Sequence, residues 1–293
     1  MGNQCSNRQV PGVYRRRIGD ILVTVLSDGY LDAGFHILQS IEPLDAEQIL
    51  VESFRPPHPS ISVNCFAVQA GGRTALVDTG SGASMGPTLG WLPANLAAAG
   101  IDPGDIDTVL LTHMHPDHSN GLADASGAAA FANAELVMHE AEVRHWTDDV
   151  QMSRANESQR TRYFLGARQQ LKPYAERLRT FRQGEVFPGV TAMPIPGHTP
   201  GHTAYLIASG DDTMLIWGDI VHVPEIQLRR PEVTMVFDSD PEAAVAMRRR
   251  IFDMATTDRL LLSGMHLHFP GLSYLIERAG QFQLVPESWA FVA

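Results

Sequence analysis

The sequence predicts an α/β protein, and three observations predict it. Short β-rich runs alternate with helical runs through both halves of the 293 residues. Glycine and proline turns separate them, with no linker or low-complexity tract between. Several strands carry a polar residue just past the C-terminal end, the edge where open α/β sheets bind ligands.

Taken in order, residues 18–26, IGDILVTVL, and 62–70, SVNCFAVQA, read as strands because β-branched residues suit a pleated, half-buried surface. Gly71-Gly72 turns the chain into RTALVDTG, a hairpin partner that ends at Asp78. A helical run over 87–100 follows, and DTVLLTH is a short apolar strand that delivers His113 at its end. A strand over 134–138 comes next. Residues 140–182 read as helices, with Trp146, Tyr163, Phe164 and Leu171 as core or lid packing. In the second half, VTAMPIPGHTPGHTAYLIAS holds two strands about a turn, and TMLIWGDI is another. DSDPEAAVAMRRRIFDMATTD is a helix capped by Ser239 or Asp240, with Pro241 in its first turn. RLLLSGMH is a strand ending in His266. The expected organisation is a tail over 1–17 and one domain over 18–293, whose two αβ halves divide near 182.

A net charge of −11 with mixed signs argues against nucleic acid, which needs a basic surface; Arg15 to Arg17 is too short a basic run to change that. Cys5 and Cys65 are too few for a disulfide framework and suit a reducing cytoplasm. No apolar run approaches the roughly 20 residues that span a bilayer, so no membrane partner is expected. MGNQCS matches a loose acylation pattern, with nothing polybasic adjoining it. A small-molecule substrate and a homodimer are the default expectations.

THMHPDHSNG, residues 112–121, offers four metal-competent side chains within six positions, and imidazole and carboxylate are ligands for zinc, manganese and iron. Asp78, Asp219 and His266 repeat the pattern of an apolar strand ending in such a residue. His198 sits in PGHTPGH, where glycine permits close backbone approach and proline stiffens the turn. A lone histidine is usually structural, as expected here for His202; five separate points make a metal site the better reading.

HMHPDH, GHTPGH, WGD and SGMH in this order resemble the metallo-β-lactamase superfamily of dinuclear metal hydrolases, from VDTG at 77–80 to SGMHLHFPG at 263–271. The resemblance implies a four-layer αβ/βα sandwich, two central mixed sheets flanked by helices. It implies two divalent ions per chain, zinc first, with manganese, iron or cobalt also accepted. His113, His115 and His198 would hold one ion, Asp117, His118 and His266 the other, with Asp219 bridging both and Asp78 orienting a ligand histidine. GHTPGHTAYLI, WGDIVHVPEIQL and the FDSDPEAAVAMRRRIFD helix are most similar to the methyl parathion hydrolase branch and its lactonase and esterase relatives. The implied reaction is attack of a metal-bridging hydroxide on an ester, lactone or phosphotriester, with Asp117, Asp219 and His222 catalytic. Phe35, His36, Ile61, His222, Leu228 and His268 are the expected substrate-pocket walls.

Three features depart from close relatives. True β-lactamases are disfavoured, because no lysine-bearing element adjoins the last ligand and Asp219 stands where those dizinc enzymes have cysteine. Acyl-homoserine lactonases carry tyrosine three residues past the bridging aspartate; here the residue is His222, which can polarise a substrate oxygen, protonate a leaving group or line the pocket. Asn120 replaces a glycine of the motif and is expected to adopt positive φ in the turn. The rival readings are a sulfur dioxygenase-like enzyme with one iron and a non-catalytic binding or regulatory protein on the same fold.

Overall fold

The computed structural model describes residues 9–291. The acylation-like MGNQCS start and Cys5 lie outside them. Two seven-stranded sheets dominate. The first runs in chain order: β1 (Val13–Ile18), β2 (Ile21–Asp32), β3 (Ser60–Ala70), β4 (Arg73–Val77), β5 (Thr108–Leu110), β6 (Glu135–His139) and β7 (Leu178–Phe181). The second is β8 (Gly184–Phe187), β9 (Val190–Pro194), β10 (Thr203–Ser209), β11 (Asp212–Ile216), β12 (Leu261–Ser263), β13 (Ser273–Arg278) and β14 (Gln281–Pro286), again with sequential neighbours paired. Both are mixed: β4 to β7 are parallel, as are β11 and β12, and the rest antiparallel.

Period-two alternation assembles the layers. Along β4, Ala75 and Val77 face the other sheet while Leu76 faces outward; Val109 and Leu110 of β5 divide the same way. The inner cluster joins Val23, Phe66, Val77 and Leu110 of one sheet to Val190, Tyr205, Ile207 and Ile216 of the other. Outside the first sheet, Leu76, Val109 and Leu136 pack on Leu92 and Leu96 of helix α1 (Leu92–Ala99) and on Trp146 of α2 (Glu140–Thr147). Outside the second, Leu215 and Leu262 pack on Ile251 and Phe252 of α3 (Pro241–Thr257). Burying each such aliphatic side chain contributes about 1.5–3 kcal/mol. The result is the expected four-layer sandwich.

Four local expectations need correction. The segment 18–26 is not one strand, because Gly19, at φ 52°, turns the chain into a hairpin, and β1 occupies part of the expected tail. Residues 140–182 end in β7, whose parallel pairing with β6 outweighs its short, half-exposed sequence. The helical run over 87–100 is helical only from Leu92, since the buried Asp28 carboxylate accepts from Gly90 N and Leu92 N and holds the preceding residues in a turn, with Gly90 at φ 84°. Asn120 sits at φ −71°, so its position needs no glycine; the close approach belongs to Gly121, where a Cβ would meet Thr79 O at 1.9 Å. The N-terminus of α3 is capped by Asp240, which accepts from Ala243 N.

Candidate metal centre

Every strand end singled out in the sequence delivers its residue to one place. β4 leads into Asp78, β5 into His113, β11 into Asp219 and β12 into His266. Asn64 Nδ2 on β3 donates to Leu267 O at 2.7 Å, and Asn64 N to Met265 O, so the first sheet holds the loop of His266. Thr203 N donates to Thr112 O, joining the two histidine-rich loops at the backbone. All the side chains concerned are buried except Asp117, which is partly exposed.

Four overlapping groups of ligand-type atoms result, and two of them are the expected clusters. Ligand atoms of His113, His115 and His198 lie within 4.8 Å of one another, as do those of Asp117, His118 and His266. Asp219 Oδ2 stands between them, 3.5 Å from His113 Nε2, 3.3 Å from His198 Nε2, 3.2 Å from His118 Nε2 and 3.1 Å from His266 Nε2. Hydrogen bonds on the far side of the rings fix which nitrogen faces inward. His118 Nδ1 donates to Asp78 Oδ2 at 2.8 Å, His198 Nδ1 to Asp238 Oδ1 at 2.7 Å, and His266 Nδ1 to Ser62 O at 2.8 Å. Thr112 Oγ1 donates to Asp78 Oδ2 and so accepts from His113 Nδ1. Four Nε2 lone pairs are thereby aimed at the centre, together with Nδ1 of His115.

The spacing suits ions. His198 Nε2 is 3.2 Å from His113 Nε2 and 2.9 Å from His115 Nδ1. Tetrahedral bonds of about 2.0–2.1 Å would set such atoms about 3.3 Å apart. Among the described residues, buried His118 Nε2 and Asp219 Oδ1 find no hydrogen-bond partner, and a divalent cation would satisfy both. Electrostatics agree. Burial, with the neighbouring imidazoles, keeps His113 and His115 well below the usual histidine range, in the neutral form that ligation requires. Burial opposes charge on His118 and His198 too, yet Asp219 with Asp117 or Asp238 carries His118 well above its ordinary value and His198 up to about 9. The carboxylates therefore demand positive charge here, which divalent cations would supply.

Asp78 adopts φ 57°, a strained position for a non-glycine residue, held by Thr112 N donating to Oδ1 at 2.8 Å. His202 behaves as expected of a structural residue: its Nε2 accepts from Asp219 N at 2.9 Å, which removes that nitrogen from ligation and places Asp219. His222 lies closer in than a wall residue, 3.1 Å from Asp219 Oδ2 and stacked on His266; burial pushes it down to about 4 despite Asp219, so it is neutral.

A cavity of about 480 Å³ opens over the centre, lined by His36, Ile61 and His222 as expected, and also by Met85, Tyr163 and Phe237. Tyr163 comes from a π-helical stretch, Arg160–Leu165, that sets its ring 5.1 Å from that of His115. Three expected walls are elsewhere. Phe35 packs on the cluster of Leu38 and Leu50, because the 3-10 turn Phe35–Ile37 points its neighbours His36 and Ile37 into the cavity and so turns Phe35 away. Leu228 and His268 line a separate outer groove, the helical turn Pro224–Gln227 having carried the chain past the centre. There His268 Nε2 and Arg55 Nε meet Glu225 Oε1 at 2.7 and 2.6 Å. Burial would raise Glu225, but His268 and Arg55 hold it down to about 2. A depressed carboxylate stabilises the fold above its unfolded pKa and loses that contribution as pH falls through the folded value. Glu225→Gln should therefore cost about 2 kcal/mol near neutral pH, and the gap between its melting curve and the wild type's should close from pH 4.5 towards about 2. A gap that persists in acid would refute the pairing.

Asp238 and Glu142 were not legible in the sequence. Asp238 reads there only as part of a helix-capping run, and Glu142 as one more charge on an amphipathic helix.

The family model of the metallo-beta-lactamase superfamily matches residues 59–266. The hydrolase AbOPH, of the beta lactamase superfamily, is 30% identical, with 97% of this chain and 100% of that chain covered and a TM-score of 0.90. AidC, a dizinc quorum-quenching lactonase solved with a homoserine product, is 24% identical over 96% of this chain and 99% of that one, also at 0.90. A quorum-quenching N-acyl homoserine lactone lactonase is 18% identical over 88% and 100%, at 0.62.

Proposed function

The chain belongs to the metallo-beta-lactamase superfamily, and from that premise we propose that it is a metal-dependent hydrolase of lactones and esters, with phosphotriesters as the alternative electrophile. The observation that carries this reading is the convergence of two ligand clusters on Asp219 Oδ2 at the floor of an apolar cavity. His113, His115 and His198 would hold one ion, Asp117, His118 and His266 the other, and Asp219 both. Bound divalent ions supply Lewis acidity, which activates water near neutral pH and draws charge from the oxygen under attack. Asp78 and Asp238 hold His118 and His198 in the tautomer this needs. His222, neutral and beside Asp219, can donate a ring N–H to a substrate oxygen, the place held by tyrosine in the acyl-homoserine lactonases.

The walls supply the preference. Leu31, Ile37, Ile61, Met85, Val236 and Phe237 offer an acyl chain or aryl group apolar contact, and Arg162 adds a cation to the lining. A dizinc lactonase among the structural neighbours agrees with an acyl lactone as the substrate class.

The test is metal analysis of the purified protein and a screen of short- and long-chain lactones, aryl esters and phosphotriesters. Stripping the metal with a chelator should abolish turnover and lower the melting temperature, and zinc or manganese should restore both. Full turnover in stripped protein would end the reading. Within it, Phe237→Ala should raise KM for long-chain lactones about tenfold and leave short ones within about twofold, since the lost contact lies along the chain. An equal effect on both would move the acyl group elsewhere.

A further inference from the structure

Glu142, near the start of α2, has no exposed surface, and its carboxylate accepts from four donors. Met114 N, at 3.1 Å, and Trp146 Nε1, at 2.6 Å, donate to Oε2; Gly201 N, at 3.0 Å, and Thr199 Oγ1 donate to Oε1. Trp146 is on the helix itself, but the other three donors are not. Met114 lies between His113 and His115, and Thr199 directly follows His198. One carboxylate therefore grips both loops that carry the first ligand cluster, which are about 85 positions apart in the chain and whose ring nitrogens must stay near 3 Å from one another.

The second glycine of PGHTPGH belongs to the same contact. A Cβ on Gly201 would lie 2.6 Å from Glu142 N and 2.8 Å from its Cγ, so only glycine lets the loop reach the carboxylate. All four partners donate, and none of the three N–H groups can accept; a buried carboxylate satisfies the set, and no neutral side chain of the same shape does.

We propose that Glu142 is a positioning residue for the metal centre: its carboxylate sets the spacing between the loop of His113 and His115 and the loop of His198. The proposal rests on the metal-centre reading above. Its decisive variant is Glu142→Gln, which keeps the volume and turns one acceptor into a donor facing donors. Thr199→Val is the second, isosteric and stripping a single bond from the His198 loop. Both are dialysed against graded chelator and assayed for metal per chain, and cobalt-substituted samples are read by visible absorption; circular dichroism of the metal-free proteins reports the fold.

The expected result is that E142Q releases one metal equivalent at chelator concentrations about 10–100-fold lower than wild type, with an altered cobalt spectrum and an unchanged metal-free fold, and that T199V shifts the same way by less. If E142Q does not fold, T199V decides. Retention of both equivalents at wild-type chelator levels in a folded variant would overturn the proposal, as would loss of both equivalents together. Wild-type protein that holds no metal would overturn the metal-centre reading and this proposal with it, an outcome distinct from failure of Glu142 alone.

Discussion

Asp219→Ala should lower kcat/KM for any substrate of this protein by at least ~10³ and reduce the metal content per chain. Asp219 Oδ2 is within 3.5 Å of ring nitrogens from both clusters, and no other carboxylate oxygen is so placed among the described residues. On the proposed reading, its loss would leave two dications without the charge that offsets their repulsion and would remove the ligand assigned to both. Lewis-acid stabilisation of a transition state is worth several kcal/mol, and ~4 kcal/mol is about a thousandfold in rate. Asp219→Asn separates charge from shape, because the amide retains one oxygen: an intermediate loss is expected. The measurement is steady-state kinetics alongside elemental analysis. Turnover within tenfold of wild type at full metal content would deny Asp219 the bridging role.

Arg248→Met should have the largest effect on stability. Arg248 is 1% exposed on α3 and, among the described residues, donates to no carboxylate. Its guanidinium donates instead to three backbone carbonyls, Ile220 O at 2.7 Å, Pro231 O at 2.6 Å and Val233 O at 2.9 Å. These fasten the chain leaving Asp219 to the helix behind the second sheet. Methionine fills most of the volume and supplies no donor, so Ile220 O and Pro231 O go unpaired and Val233 O keeps only Gln227 Nε2, at about 1 kcal/mol or more for each bond lost. The expected fall in melting temperature is of order 10 °C, with a smaller loss of activity through displacement of Asp219 and His222. A fall of under about 2 °C would mean that water replaces the guanidinium. Arg248→Lys tests the geometry: one ammonium cannot reach three carbonyls from a fixed fork, so it should recover only part of the loss.

The chain by itself determined the fold class, the strand ends and the seven ligand-type side chains. This was possible because ligands must be particular residue types and because each sits on a tight loop whose glycines and prolines are visible in the string, as in HMHPDH and PGHTPGH. Period-two apolar runs buried on both faces fixed the layers for the same reason: local pattern and global packing agree.

Only the tertiary structure decided the rest. Asp238 meets His198 across 40 positions, and Glu142 meets Thr199 across 57, and nothing in either local sequence distinguishes such a carboxylate from a helix cap or a solvated face. The cavity wall was equally hidden. A 3-10 turn exchanged Phe35 for Ile37, and a π-helical stretch far along the chain set Tyr163 over His115. Residue type and spacing specify what a side chain can do; which neighbours it meets depends on the rotation of each short element about its own axis, and that is settled by packing between segments distant in sequence.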